Sequence, residues 1–287
     1  MNRTLVIDCN NLCYSALFTF GELSHEEKKT GVIFGFLQRI LFLANKFETN
    51  KFIFCWDSKK NYRKLIYPEY KANRRKDLTE QEEIDYALAF KQFDVLREKV
   101  LPGLGFSNVF QQNGYEADDL IAEVVKRGGG SFGVVSTDKD LYQLLDRCSI
   151  YNQRTKKVIT HKDFQELYGI PCTLWADVKA LMGDSGDNIS GIVGVGEKKA
   201  IQFITNILPK GKIFDLILSL ESQDTFLRNL KLIELPYHGI KKIKMIMGED
   251  EFDKFKFIDV FMDYGFESFL RKDTLNKWVD LMVRTSI

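Results

Sequence analysis

Nine acidic residues in five clusters have the types and spacing to do chemistry together: Asp8, Asp57, the group Glu116, Asp118 and Asp119, the pair Asp138 and Asp140, and the pair Asp184 and Asp187. Most of them directly follow an apolar run that reads as a strand, as Leu5-Val6-Ile7 precedes Asp8 and Phe52 to Trp56 precedes Asp57. If those strands lie parallel in one sheet, the acids converge on its C-terminal edge, where open α/β folds carry their ligand crevice. Like charges at this density share a pocket only when cations neutralise them. Hard divalent ions such as Mg²⁺ or Mn²⁺ take oxygen ligands from carboxylates, waters and phosphates, so the expected chemistry is metal-assisted phosphodiester hydrolysis. Two ions roughly 3.5–4 Å apart could activate a water, bridge the scissile phosphate and stabilise the leaving oxygen.

Each acid taken singly has a plainer use. Asp8 or Asp57 could cap a helix, and Asp138 with Asp140 reads equally as an N-cap and a first-turn acid. The segment Gly114-Tyr115-Glu116-Ala117-Asp118-Asp119 resists that explanation, because capping needs one acid and three are present. Glu116 and Asp119 stand three apart and share a helix face, with Asp118 beside them at the positive end of the helix dipole. Gly183-Asp184-Ser185-Gly186-Asp187-Asn188 adds two acids in a glycine-rich turn that can approach the others closely.

The elements that must position these acids alternate. A strand ending at Asp8 is followed by a polar turn and a helix with Ile33, Phe34, Leu37, Ile40, Leu41 and Ala44 at helical spacing. A strand from Phe52 to Asp57 and an amphipathic helix carrying Leu88, Phe93, Leu96 and Val100, ended by Pro102-Gly103, come next. A short strand near Val109, a helix from Glu116 to about Arg127 and a strand from Phe132 to Ser136 complete the pattern. Alternation of this kind predicts an α/β fold, a mostly parallel central sheet with helices on both faces. Beyond about Asp163 helices dominate. The expected division is an α/β core over residues 1–165 and a helical part over 166–287 that shares its core with the first.

A chain of 287 residues with 45% apolar residues can bury a substantial core. Its net charge of +1 argues against a uniformly basic nucleic-acid binder, but charge is unevenly placed. Lys59 to Lys76 holds eight basic residues, including Arg63, Lys71, Arg74 and Arg75, against the single acid Glu69. A solvated helix face would account for such a run, whereas its position directly after Asp57 favours function, with Arg63 and Arg75 expected to contact nucleic acid. The five cysteines are odd in number and scattered, and read as reduced core residues; Cys9 and Cys13 lack the partners of a zinc site. A strand at the very start leaves no room for a signal peptide, and the apolar stretch from Val32 to Phe47 is too short to span a bilayer. A cytoplasmic protein is the expectation.

Val6-Ile7-Asp8, Trp56-Asp57, Tyr70-Lys71-Ala72-Asn73-Arg74, Tyr115 to Asp119, Thr137-Asp138-Lys139-Asp140 and Gly183-Asp184 through Asp187-Asn188 resemble, in order and spacing, the structure-specific 5′-nucleases or flap endonucleases. That PIN-like family includes bacteriophage 5′-nucleases and the nuclease domain of bacterial DNA polymerase I, and the resemblance covers residues 1 to about 240. It implies 5′ to 3′ exonuclease and flap endonuclease activity near single-strand/double-strand junctions, in removal of replication primers or flaps. It implies one ion favoured by Asp8, Asp57, Glu116 and Asp118, and a second by Asp119, Asp138, Asp140, Asp184 and Asp187. Lys71 and Arg74 match residues at the base of a helical arch, expected over about 59–92, where cations aimed at the scissile phosphate would stabilise developing charge, a term worth roughly 2.7–4 kcal/mol for comparable donors. Tyr70 either stacks on a base or packs as a core aromatic.

Ile189 to Ala200 resembles the family's helix-hairpin-helix element, expected over about 176–207. There Gly194 and Gly196 permit a tight hairpin, a helix start near Glu197 can meet a phosphate, and Lys198 and Lys199 add attraction to duplex DNA. In the family such a hairpin can hold K⁺ through backbone carbonyls. Expected partners are DNA with a 5′ flap or 5′ end, RNA–DNA primer hybrids and replication proteins, met by a monomer in the host cytoplasm if the gene is a phage's. The last forty residues, rich in aromatics from Phe261 to Leu270, either complete the core or form an interaction surface. Among competing readings, a haloacid-dehalogenase-type phosphatase needs Asp-x-Asp where this chain has Asp8-Cys9-Asn10. A PIN-type ribonuclease would not require the residues of the arch or the hairpin. A non-catalytic junction binder would not require nine acids.

Overall fold

The computed structural model describes residues 3–74, 77–238 and 242–282. Strand β1 (Thr4–Asp8) leads directly into helix α1 (Cys9–Phe20), and a two-residue ladder, β2 (Ser24–His25) with β3 (Lys28–Lys29), leads into α2 (Gly31–Phe47). After β4 (Phe52–Trp56) come α3 (Arg63–Ile66) and α4 (Glu80–Val95), which runs on through a π-helical turn at Leu96–Val100 into α5 (Leu101–Gly103). Then follow β5 (Val109–Gln111), α6 (Ala117–Arg127), β6 (Phe132–Val135), a 3₁₀ turn at Asp140–Leu144, β7 (Cys148–Asn152) and β8 (Lys157–Ile159). The second half holds α7 (His161–Tyr168), α8 (Trp175–Met182), the small ladder of β9 (Gly183–Asp184) with β10 (Ile189–Ser190), α9 (Glu197–Ile204), α10 (Lys212–Ile217) and α11 (Leu220–Ile233). It closes with α12 (Lys254–Asp263), α13 (Glu267–Leu270) and α14 (Lys272–Met282).

The sheet order is β5-β4-β1-β6-β7-β8, parallel throughout except for antiparallel β8 at one edge. β1 lies at the centre, with Leu5 opposite Phe52 on one side and Gly133 on the other. Strands covered on both faces must be apolar on both, and β4 is buried at all five positions. Alternation along the strands divides the core. Leu5, Ile7, Phe54 and Trp56 face α1 and α2, while Val6, Cys55 and Val134 face α6.

Three features depart from the sequence reading. The polar turn expected after Asp8 is helix α1, whose first turn is capped by Asp8 itself through Asn11 N at 3.1 Å. α1 packs on α2 at very short range: a Cβ at Gly35 would stand 2.9 Å from the Ala16 methyl, so only glycine admits this contact. Strands β7 and β8 were not expected, because their mixed sequences lack a clean apolar run. Asp140 opens a 3₁₀ turn in place of the expected α-helix.

The late helices wrap both faces of the sheet. Ala200, Ile217 and Leu235 join the α6 side, whereas Phe257, Phe261, Phe269 and Trp278 join the α1–α2 side. The aromatic tail therefore completes the core, with Trp278 fully buried and its ring 5.4 Å from Phe261. No helix among the described residues is long and apolar enough to cross a membrane. Trp278→Ala is expected to cost about 3–5 kcal/mol of stability, the usual penalty for emptying a core aromatic site. A urea midpoint close to wild type would show that α14 contributes little to the fold.

Candidate active site

The C-terminal ends of the central parallel strands are knitted by short polar contacts. Asp8, closing β1, accepts from Asn11 N with one oxygen and from Ser136 Oγ with the other at 2.7 Å. Ser136 follows β6, and its hydroxyl also accepts from Asp138 N at 3.0 Å. Asp138 in turn accepts from Asp140 N at 2.8 Å. Asp57, just past β4, receives Ala117 N, the first amide of α6, at 2.8 Å, and its own amide donates to Asn10 Oδ1 at 3.1 Å. Several acids thus do cap helices and turns as single residues would, and the same bonds draw them to one edge.

At that edge they disturb one another. Burial, then the neighbouring Asp57, pushes Asp8 up to about 7. Burial and Asp138 do the same to Asp140, to about 7 despite Lys179. Asp57 is raised by burial and Glu116, Asp138 by burial and Asp187, and Asp118 rises well above the usual carboxylate range through burial, Asp138, Asp8 and Asp57. Glu116 behaves oppositely: burial would raise it, but Lys71 and Arg63 draw it down to about 2. Among the described residues no three acidic, histidine or cysteine side chains close on a single point as the ligands of one ion. The donor set is nonetheless all oxygen, and its mutual repulsion is what a hard divalent cation would relieve.

The base of the arch docks onto the Asp184–Asn188 turn. Lys71, with a left-handed backbone at φ 56°, donates its amide to Asp187 O at 2.9 Å, and its ammonium pairs with Glu116 and lies 3.6 Å from Asp187. Arg74 pairs with Asp187 at 2.6 Å. The turn itself requires Gly183 (φ 76°), where a Cβ would stand 2.3 Å from Gly191 N. Lys71, Arg74, Asp57 and Glu116 line a cleft of about 460 Å³ together with Tyr14, Phe90 and Phe93.

Three expected roles are corrected. Arg63 is buried, not a DNA contact: it grips both oxygens of Asp119 at 2.7 Å and donates to Leu232 O at 2.7 Å. Asp119, fully buried, spends its remaining capacity on Tyr237 N and Glu116 N, so it braces α6 and is not a metal ligand. Tyr70 is the packed aromatic and presents no stacking face; it is buried and its hydroxyl lies 2.8 Å from Glu116 and 3.0 Å from Asp187. Arg75 lies outside the described residues. At the hairpin, Gly194 adopts φ 77°, Gly196 caps α9, Lys198 is exposed, and Lys199 donates to Gly194 O at 2.8 Å.

Residues not singled out from the sequence also hold the edge together: Asn10, Asn11, Ser136 and Lys179. Lys179 had a legible signal, a lone charge among the buried Val178, Ala180 and Leu181. Asp8 and Asp140 hold their protons more tightly folded than unfolded, where carboxyls titrate near ~4, so each withdraws stability as pH rises from there through about 7. In EDTA, Tm is expected to fall between pH 5 and pH 8, and added Mg²⁺ or Mn²⁺ to restore more of it at pH 8 than at pH 5. A Tm that climbs over this interval in EDTA would contradict the buried repulsion.

Residues 3–169 match the family model of the 5′-3′ exonuclease N-terminal resolvase-like domain. The chain is 32% identical over 245 residues to a 5′-3′ exonuclease of Buchnera aphidicola, covering 83% of this chain and 81% of the relative. It is 28% identical over 270 residues to the flap endonuclease of Escherichia phage T5, covering 88% and 89%. A crystal structure of the T5 flap endonuclease with DNA and metal ions has the same fold, with a TM-score of 0.67 at 23% identity over 98% of each chain. With more than half its length matched by the family model and a relative 32% identical over 83% of it, the chain belongs to the 5′-3′ exonuclease family.

Proposed function

We propose that this protein is a metal-dependent, structure-specific 5′-nuclease that hydrolyses phosphodiester bonds of DNA near junctions of single and double strands, removing primers and flaps. The observation that carries the reading is the crowd of buried and half-buried carboxylates at the ends of β1, β4 and β6, whose repulsion cations must relieve if they are to stay ionised together. The naming of relatives as 5′-3′ exonucleases and a flap endonuclease supports the same chemistry.

Asp8, Asp57, Glu116 and Asp118 would hold one divalent ion, and Asp138, Asp140, Asp184 and Asp187 a second. When bound, Mg²⁺ or Mn²⁺ supplies charge neutralisation at the phosphate and an acidified water. The protein's own groups do the rest. Asn11, Ser136 and the first amide of α6 hold the carboxylates of Asp8 and Asp57 in place, so little reorganisation is needed at the moment of reaction. Lys71 and Arg74, at the wall of the cleft, are set to donate to the scissile phosphate once their carboxylate partners are satisfied otherwise. The cleft, bordered by α4, accepts a single strand, which the half-buried rings of Tyr14 and Phe90 can meet. Beyond it, the amides starting α9 and the exposed Lys198 offer a sequence-independent hold on the duplex backbone.

The direct test is cleavage of a labelled 5′-flap duplex with Mg²⁺ and with EDTA, beside single-stranded and blunt controls. Metal-dependent cutting near the flap junction is expected; binding without cutting at any metal concentration would point to a junction-binding protein, and cutting of RNA alone to a PIN-type ribonuclease. Asp118→Asn should abolish cleavage while flap binding stays measurable. For Lys71→Ala, turnover should drop about 10²–10³-fold, the loss typical of a missing donor to developing charge, with a much smaller change in affinity. Equal losses in both would mean that Lys71 binds substrate uniformly.

A further inference from the structure

Lys179 occupies an unusual position for a lysine. It sits on α8 between apolar neighbours, only 7% exposed, and its ammonium reaches Asp140 at 2.8 Å and pairs with Asp184. Burying an ammonium is costly unless carboxylates repay it. Asp184 does not rely on this lysine for its placement, whereas the buried Oδ1 of Asp140 meets no other partner and only the backbone of that residue is held elsewhere. Asp184 is fixed through its other oxygen, which accepts Gly186 N at 2.8 Å and Asp187 N at 3.2 Å. Asp140 is anchored by its amide to Asp138 and by its carbonyl, which accepts from Gln143 Nε2 at 2.9 Å. What Lys179 adds is a positive charge between two carboxylate oxygens, the place and sign of a bound cation.

We propose that Lys179 is a built-in stand-in for a divalent ion: its ammonium holds the Asp140–Asp184 pair until an ion displaces it, and by competing it keeps the affinity of that position low. The inference rests on the two-ion reading above. It separates the two lysines of the edge. Lys71 lines the cleft and, once displaced from Glu116, has substrate to turn to. Lys179, rooted in the buried side of α8, stays beside the acids and acts through them, as a positioning residue. A single ammonium shared by Asp140 and Asp184, with Asp138 adjoining, leaves net negative charge, so a divalent ion is the better partner and exchange runs towards it.

Mn²⁺ titration by calorimetry, without DNA, tests this on the wild type and on Lys179→Met, Lys179→Gln and Lys179→Arg. Removing the competing charge is expected to tighten the weaker of two binding steps by about tenfold or more in the Met and Gln proteins, whereas Arg keeps or worsens the wild-type value. The ion-free Met protein should also melt below wild type and recover with saturating Mn²⁺. Gln retains donors for both carboxylates and serves if the Met protein fails to fold without ions. Binding that is unchanged or weaker in both Met and Gln overturns the stand-in and makes Lys179 a strut. A wild type that binds no Mn²⁺ overturns the metal reading, and this inference with it.

Discussion

Repulsion among carboxylates held at the edge of one parallel sheet is the constraint on which the rest of the structure depends. Asp8, Asp57, Asp118, Asp138 and Asp140 all hold their protons above the ordinary carboxylate range because each, buried or half-buried, is desolvated and most lie beside another acid. A fold can sustain that only by meeting the charge with cations or by strapping the acids down. This one does both. Backbone amides at the starts of α1 and α6 and at the turn after Asp138 donate to the acids, while Lys71, Arg74, Lys179 and Arg63 supply positive charge.

The capping bonds make fold and site inseparable. Asp8 starts α1 and Glu116 starts α6, so the residues that begin these helices are also members of the acidic edge. Strand order adds the second condition. With β1 central between β4 and β6, the ends of three adjacent strands bring together acids far apart in the chain, and Ser136 bridges two of them directly. The turn over Asp184–Asn188 is then pinned against them by the arch base through Tyr70, Lys71 and Arg74.

The division of labour among the charged residues follows burial. Arg63 and Lys179 are enclosed and bound to acids on several sides, so their work is internal. Arg74 and Lys198 reach solvent, and Lys71 lies between, paired to Glu116 yet bordering the cleft. A surface lysine or arginine can meet a phosphate; an enclosed one can only tune its neighbours.

From sequence alone the sheet class, its parallel sense, the strands ending at Asp8, Asp57 and Ser136 and the acidic edge were all legible, because apolar runs of strand length followed by acids leave few other arrangements. The hairpin glycines and the helix after Tyr115 were equally visible, since turn and cap chemistry is local. Helix α1 was hidden by its polar start, and β7 and β8 by their mixed faces, both rescued in the fold by packing on neighbours. Which acids were free was invisible. Asp119 looks like Asp118 in one dimension, yet it meets Arg63, 56 residues away, while Tyr70 and Lys179 reveal their partners only when the turn at Asp184–Asn188 folds back on the sheet. Residue type and local spacing therefore determined what this chain can bind and which strands carry it. The tertiary structure decided which charges oppose one another, because Coulomb energy and burial depend on distance in space and not along the chain.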